Sequence, residues 1–278
     1  MKKSILSLII IVVASFVSWG SLPVVVSIVP EQTFVKAIGG DEVSVDVMVS
    51  PGSSPHTYEP KPSQMREIAS AKLYLSIGVE FEQVWLPKFR DLNPHLHIID
   101  VSHGIKRRAM VEKHTAHTKA LDPHVWTTPA NVAIIARNIL DALVAADPSH
   151  ANIYHQRYNQ LLKSIKLTDH QIHEIIDPLK GSVFMVFHPS WGYFADSYGL
   201  SQIPVQIAGK NPKPRDLIAL IQTARSKHVR AIFTQPETPD TMAGVLAREL
   251  HIPVIKISPM SPDWSGNLLK LAKAIAHQ

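Results

Sequence analysis

A helical pattern of unusual length lies in the middle of the chain and separates two regions in which strand and helix patterns alternate. Residues Ala151–Ile176 keep apolar side chains on one face, and Asp177-Pro178 ends the pattern. As a single helix these residues would span roughly 39 Å, about the length of two small domains. The regions on either side alternate β-branched runs with amphipathic segments, which predicts parallel sheets that carry helices on both faces.

The predicted fold class is therefore α/β, with two lobes that are each a mostly parallel sheet flanked by helices, joined by the long helix. The chain has 278 residues, which is enough for two domains. We predict an N-terminal lobe over residues 21–147, a connecting helix over residues 148–178 and a C-terminal lobe over residues 179–278.

The first 20 residues have the pattern of a secretory signal peptide. Met1–Lys3 carries positive charge, and the apolar run Ile5–Val17 is short for a transmembrane helix. Ser18–Gly20 offers small residues for cleavage, so we expect the mature chain to begin near Ser21, with an uncleaved anchor as the alternative. The absence of cysteine excludes disulfides, a lipid-acceptor thiol and thiolate metal sites. These features predict a soluble protein of a bacterial periplasm, exported by a cleavable signal.

We expect no nucleic-acid partner, although the small excess of positive charge by itself says little about one. The net charge is +5, it falls to about +3 without Lys2 and Lys3, and no basic face is interleaved with aromatic residues. The 15 histidines are the compositional feature that most needs an explanation. Two of them, His114 and His117, lie in the segment Ser102–Lys119, which we interpret as a mobile loop. That loop is either a weak metal-collecting tract or a solvated polar segment.

Three other histidines lie beside prolines in stiff segments. His56 is near the middle of Val49–Pro62, which holds four prolines and a glycine. His124 and His188 each stand next to a proline and shortly before a tryptophan. Proline restricts the backbone, so little entropy remains to be lost when a ligand binds. Each segment alone is equally consistent with a surface turn whose histidine faces water.

The fold offers a place where these three imidazoles can meet. His56 and His188 each follow a predicted strand, and ligands of open parallel sheets bind beyond the carboxyl ends of the strands. His124 leads into a helix from a turn bracketed by prolines. With two sheets facing each other, the three side chains can converge in the cleft between the lobes. Neutral imidazole is a good ligand for Zn²⁺.

Five short motifs, in order along the chain, resemble one family. They are Pro51–Pro62, Asp122–Trp126, Phe187–Phe194, Lys213–Asp216 and Ile232–Pro236. Together they resemble the metal-binding substrate-binding proteins of ABC importers, which supply periplasmic zinc or manganese to a membrane permease. The resemblance covers nearly all of the mature chain. It implies two α/β lobes, a rigid connecting helix, a buried metal in the cleft between the lobes, and ligands at His56, His124 and His188.

The carboxylate that usually completes this family's site is missing. Ser258 stands where the family has an aspartate before a proline, and Pro55 stands where some members have a glutamate. We favour water as the fourth ligand. The other candidates are Ser258, Glu59, Glu237 and Asp263. An all-imidazole site favours zinc over manganese. Glu59 is also a candidate to orient His56 by accepting its second N–H, or is an ordinary surface carboxylate.

The function predicted from the sequence is capture of a divalent metal, most simply Zn²⁺ as cargo, for delivery to an ABC permease, with no reaction catalysed. We expect a monomer. A manganese-binding member of the same family is one alternative. An exported zinc hydrolase is another, because three histidines and a water also hold catalytic zinc. Against the hydrolase, the sequence has no His-Glu-x-x-His helix and no carboxylate clearly placed as a general base. An exported adhesin of the same fold is a third alternative.

Overall fold

The computed structural model of the protein describes residues 20–110, 121–206, 212–237 and 241–277. The described residues do not include residues 1–19 of the predicted signal or the loop histidines His114 and His117. The sequence pattern also predicts a helix over Thr238–Leu250, and its first three residues lie outside the described residues.

The N-terminal sheet has four parallel strands in the order β2-β1-β3-β4. The strands are β1 (Leu22–Val26), β2 (Val43–Val47), β3 (Leu73–Ser76) and β4 (His97–Asp100). Val24 lies at the centre, where it pairs with Val45 of β2 and with Leu73 of β3. The valines of β1 are buried, as expected for a central parallel strand covered on both faces.

Four helices pack on this sheet. They are α1 (Val29–Gly39), α2 (Pro62–Ser70), α3 (Glu80–Leu92) and α4 (Pro129–Ala146). The sequence pattern predicts a helix over Gln32–Ile38. Helix α1 begins three residues earlier, because the Glu31 carboxylate accepts the backbone N–H groups of Ser27 and Ile28, each at 3.1 Å. Within the described residues, only α4 is long and apolar enough to cross a membrane by length and composition, and its buried face packs against α1 in the core.

The long helix α5 (Ala151–Ile176) has the bounds that the sequence pattern predicts. It packs against α1 and α4 of the N-terminal lobe and against the last helix of the chain, α9 (Trp264–Ala276). Tyr154, Ile165 and Ile172 are buried along its length. A single rigid element therefore contacts both lobes.

The C-terminal sheet repeats the arrangement of the first, with parallel strands in the order β6-β5-β7-β8. The strands are β5 (Val183–Val186), β6 (Ser201–Pro204), β7 (Ile232–Thr234) and β8 (Val254–Lys256). The remaining helices are α6 (Gly192–Ser197), α7 (Pro214–Ser226) and α8 (Thr241–Leu250). The predicted fold class, two α/β lobes joined by a long helix, is confirmed.

The sequence pattern predicts a strand over Pro204–Ile207, and strand β6 differs from this prediction. The observed strand, Ser201–Pro204, begins three residues earlier, because Gly199 has a positive φ of 66° and turns the chain from α6 directly into the sheet. Pro204 pairs with Val186 on an edge strand, where a missing N–H is tolerated. The ladder continues past Pro204 through a hydrogen bond from Val205 N–H to the Val186 carbonyl (2.8 Å).

Buried hydrogen bonds hold the lobes together beside the cleft. The indole of Trp126 donates to the carbonyl of Pro259 (2.8 Å), and that of Trp264 donates back to the carbonyl of Trp126 (2.7 Å). The Tyr193 hydroxyl donates to the carbonyl of Asp122 (2.9 Å). These contacts, together with α5, fix the two sheets relative to one another.

Candidate metal centre

Three imidazoles meet between the lobes. His56, His124 and His188 each offer one ligand nitrogen, and these nitrogens all lie within 4.8 Å of one another. Nε2 of His56 is 3.0 Å from Nε2 of His188, and the ring centroid of His124 is 5.9 Å from that of His56 and 5.3 Å from that of His188. Zinc–nitrogen bonds of about 2.0–2.1 Å place tetrahedral ligand atoms roughly 3.3 Å apart. The cluster therefore has the dimensions of a site for one ion.

The side chain of Gln64 fixes the loop that connects β2 to α2 and carries His56. The amide of Gln64 donates to the carbonyls of Val47 (3.1 Å) and Met48 (2.6 Å). Its carbonyl accepts the hydroxyl of Tyr58 at 2.6 Å. One buried side chain thus ties the end of β2 to the segment just after His56, and the prolines of the loop limit its remaining freedom.

Glu80, at the start of α3, orients His56. Its Oε1 lies 2.9 Å from Nδ1 of His56. Burial raises the pKa of Glu80, but the hydrogen bond from His56, the charge of His56 and a backbone hydrogen bond together outweigh burial, so the pKa is lowered. An ionised carboxylate fixes the proton on Nδ1 and leaves Nε2 free as a ligand. Glu59 is the candidate that the sequence offers for this role, but it is exposed, which agrees with its alternative interpretation as an ordinary surface carboxylate.

The turn before Glu80 is itself fixed. The buried carboxylate of Glu82 accepts the N–H groups of Ile77 (3.0 Å) and Gly78 (2.8 Å). Gly78 has a φ of 89°, which favours glycine, and a Cβ there would lie 2.2 Å from Nη2 of Arg107. Arg107 in turn donates to the carbonyl of Ile77 at 2.8 Å. These contacts hold the chain at the carboxyl end of β3 and place Glu80 beside His56.

Asp122 orients His124. Its Oδ1 lies 2.8 Å from Nδ1 of His124 and also accepts the backbone N–H of His124 at 3.0 Å. Burial would raise the pKa of Asp122, but the hydrogen bonds from His124 and the nearby guanidinium of Arg108 lower it. Arg108 lies 3.3 Å from Asp122 Oδ2 and 2.9 Å from Asp196 of the C-terminal lobe. Arg108 therefore anchors the described part of Ser102–Lys119, the segment that the sequence predicts to be a mobile loop.

His188 directly follows β5 and is buried. Its Nδ1 lies 3.2 Å from Oε1 of Gln206, so its Nε2 also faces the other imidazoles. Burial, reinforced by the charges of His124 and His56, lowers the pKa of His188 to about 3. The ring is neutral at physiological pH, which is the state that binds a metal.

The imidazoles open onto a cavity of about 20 Å³, which has room for a single water molecule or ion. Trp126 and Glu237 contribute to its wall. Of the other fourth-ligand candidates, Ser258 donates its hydroxyl to Glu237, and Asp263 accepts the N–H of Gly266 at 3.0 Å as the cap of α9.

Two α/β lobes, a rigid helix and three oriented imidazoles around one small cavity define a two-lobed metal-binding protein. The chain belongs to the family described as ZnuA, zinc-uptake complex component A, periplasmic, whose model matches residues 24–277. The resemblance inferred from the motifs is confirmed. The family comprises substrate-binding proteins of metal transporters, and the protein is a binding protein rather than an enzyme.

Similar proteins agree with this assignment. The high-affinity zinc uptake system protein ZnuA of Bacillus subtilis (strain 168) is 27% identical over 243 residues, which cover 82% of this chain and 75% of the relative. A crystal structure of ZnuA superposes with a TM-score of 0.87 at 35% identity and covers 92% of this chain and 98% of that chain. A zinc-bound deletion mutant of ZnuA superposes with a TM-score of 0.86, also at 35% identity, over 92% of this chain and 97% of that one.

Proposed function

We propose that this protein captures Zn²⁺ in the periplasm through His56, His124 and His188 and delivers it to the membrane subunits of an ABC permease. The observation that carries the proposal is the shared orientation of the three rings. Each Nδ1 lies within hydrogen-bonding distance of a side-chain oxygen, so each Nε2 is left to face the same cavity. Such outer partners fix the ring orientation and raise the basicity of a metal-binding histidine.

Zinc is favoured over manganese by the type of ligand atom. Imidazole nitrogens suit zinc, whereas manganese prefers oxygen ligands. The names of the B. subtilis relative and of the zinc-bound structural neighbour support the same choice. In a competition experiment, we expect zinc to displace manganese at equal concentrations.

Export and delivery follow from the family and from the N-terminal sequence. The family description is periplasmic, and residues 1–20 have the pattern of a cleavable signal. We propose a monomeric mature chain that begins near Ser21. Intact-mass measurement of protein from the periplasmic fraction, with size-exclusion chromatography, tests both statements. Retention of residues 1–20, or a dimer at micromolar concentration, would contradict them.

Single alanine substitutions test the ligand set. We expect His56→Ala, His124→Ala and His188→Ala each to weaken zinc binding by roughly 10²–10³-fold, if the ~10–16 kcal/mol of a typical zinc site is shared among about four ligands. The matched control is His95→Ala, which removes an exposed imidazole outside the cluster. Affinity is measured by competition with a zinc chelator. Unchanged affinity in all three ligand variants would refute the proposed site.

A further inference from the structure

The wall of the metal cavity contains a carboxylate with one buried oxygen that has no hydrogen-bond partner among the described residues. Glu237 lines the cavity, just beyond the end of β7. Its Oε1 accepts the hydroxyl of Ser258, while its Oε2 is buried and has no hydrogen-bond partner among the described residues. A buried, unpaired carboxylate oxygen is costly, and a bound ion or water at the cavity would satisfy it.

We infer that Glu237 supplies the fourth metal ligand in place of the carboxylate that the chain lacks at Ser258 and Pro55. This inference rests on the proposed function, since it assumes that the three imidazoles bind the metal. A divalent cation held by three neutral rings keeps its full charge in a small cavity. The Glu237 carboxylate offsets half of that charge, and the metal gives Oε2 the partner it otherwise lacks.

The symmetry of the two sheets supports this assignment. Both sheets have the same strand order, and β3 and β7 occupy equivalent positions in them. Glu80 follows β3 as Glu237 follows β7, and each has one oxygen engaged and the other buried without a partner among the described residues. Oε1 of Glu80 contacts Nδ1 of His56, so Glu80 positions a ligand. The engaged oxygen of Glu237 is held by a hydroxyl, which leaves its other oxygen available to the cavity.

Ser258 acquires a role in this arrangement. It stands where the resembling family has its aspartate, and its hydroxyl donates to Glu237 while accepting the N–H of Met260 at 3.0 Å. Ser258, which stands in place of the missing aspartate, thus hydrogen-bonds the Glu237 carboxylate that takes over its role as ligand. The cluster of ligand atoms within 4.8 Å of one another consists of the three imidazole nitrogens and does not include Glu237. Glu237 would therefore reach the metal by rotation about its side-chain bonds.

Water is the competing fourth ligand, because the cavity of about 20 Å³ holds one. The two cases differ in their pH dependence. A metal-bound water ionises at roughly pH 7 to 9, whereas a bound carboxylate has no proton to lose in that range. Co²⁺ in place of Zn²⁺ makes the difference visible, because its absorption spectrum changes when the ligand set changes.

The experiment compares Glu237→Gln with Glu59→Gln, which removes the same charge from an exposed position in the His56 loop. We expect Glu237→Gln to weaken zinc binding by at least the ~10–100-fold typical of lost metal-site partners, and Glu59→Gln to leave it unchanged. The Co²⁺ spectrum of the wild-type protein should be constant between about pH 7 and 9, and that of Glu237→Gln should titrate. Circular dichroism checks that the variants fold, and Glu237→Asp, which keeps the carboxylate, provides a second test by restoring part of the affinity.

Two results would overturn the inference and leave the proposed function intact. One is a wild-type Co²⁺ spectrum that already titrates as a bound water would. The other is Glu237→Gln with wild-type affinity while His188→Ala has lost zinc binding. Failure of the proposed function has a different signature, because His188→Ala itself would then bind zinc normally.

Discussion

Two histidine–aspartate pairs in this protein look alike and behave differently. Nδ1 of His124 lies 2.8 Å from Asp122, and Nδ1 of His150 lies 2.5 Å from Asp147. The second nitrogen makes the difference. Nε2 of His150 lies 3.4 Å from a carboxylate oxygen of Glu42, whereas that of His124 faces other imidazoles. A carboxylate prepares a histidine for a metal only when the other ring nitrogen is left free.

The surroundings of the two regions differ as much as their contacts. The imidazoles of the centre share a cavity of about 20 Å³, which has room for a single water molecule or ion. His150 lies at the rim of an open cavity of about 570 Å³ at the opposite end of the N-terminal sheet, where β1 and β4 begin. Burial lowers the pKa of His188 to about 3, whereas the hydrogen bond to Asp147 raises the pKa of His150. The size of a cavity is therefore a poor guide to where the metal chemistry lies.

The largest expected effect is this difference in proton affinity, which we expect to exceed ~10³-fold between the two histidines. In protein stripped of metal, His188 should remain neutral at pH 5, where His150 is protonated. Nitrogen chemical shifts of the imidazoles, followed by NMR as a function of pH, measure both. A His188 ring that titrates near the ordinary value of 6.5 would remove the distinction between the two regions.

The pKa shifts of His188 and His150 predict opposite pH dependences of the unfolding free energy. The unfolded chain protonates His188 near pH 6.5 but the folded chain does not, so its contribution to stability is lost as the pH falls from about 6.5 towards 3. His150 has a raised pKa in the folded chain. Its contribution is therefore complete below the unfolded value and is lost as the pH rises through the folded one. Substitution of each histidine by glutamine should abolish the corresponding pH dependence of the unfolding free energy.

A smaller effect is expected from the aspartates. Asp122→Asn should weaken zinc binding by about 10–100-fold, because it removes the charge that orients His124. Asp147→Asn makes the same change beside His150 and should leave zinc binding unchanged, while it lowers the pKa of His150. Chelator competition and NMR titration measure the two effects. Equal zinc affinities in the two variants would mean that orientation of His124 by Asp122 contributes nothing.

The smallest expected effect comes from a pair of tyrosines. Tyr154 donates to Asp147 at 2.8 Å, and Tyr193 donates to the carbonyl of Asp122 at 2.9 Å. Tyr154→Phe removes a partly buried hydrogen bond and Tyr193→Phe a buried one, and each change should lower the unfolding free energy by about 1 kcal/mol. Only Tyr193→Phe should also reduce zinc affinity, because it loosens the segment that carries His124. A zinc effect of Tyr154→Phe would show that the two regions are coupled.

Much of this arrangement could be predicted from the order of residues alone. The bounds of α5 followed from apolar spacing and from Asp177-Pro178, because helix periodicity is a local property. The proline-flanked histidines could be selected because stiff loops at strand ends are local features too. Strand β6 was misplaced, because its start depends on how sharply the chain turns at Gly199.

The partners of the histidines could not be predicted in the same way. Glu80 looks like any first-turn helix residue in the sequence, and the only signal that could have found it is its position just beyond the end of β3. Gln206 has no distinguishing pattern at all, yet it lies 3.2 Å from Nδ1 of His188.

The sequence by itself determined the helices, most of the strands and the kind of ligand atom, because periodicity, proline placement and residue chemistry act over a few neighbouring residues. The tertiary structure decided which carboxylate meets which ring and which oxygen remains unpaired. His56 reaches Glu80, and Glu237 reaches Ser258, only because parallel sheets bring successive strand ends to one edge. Those contacts join residues more than 20 positions apart, a separation over which no local pattern carries information.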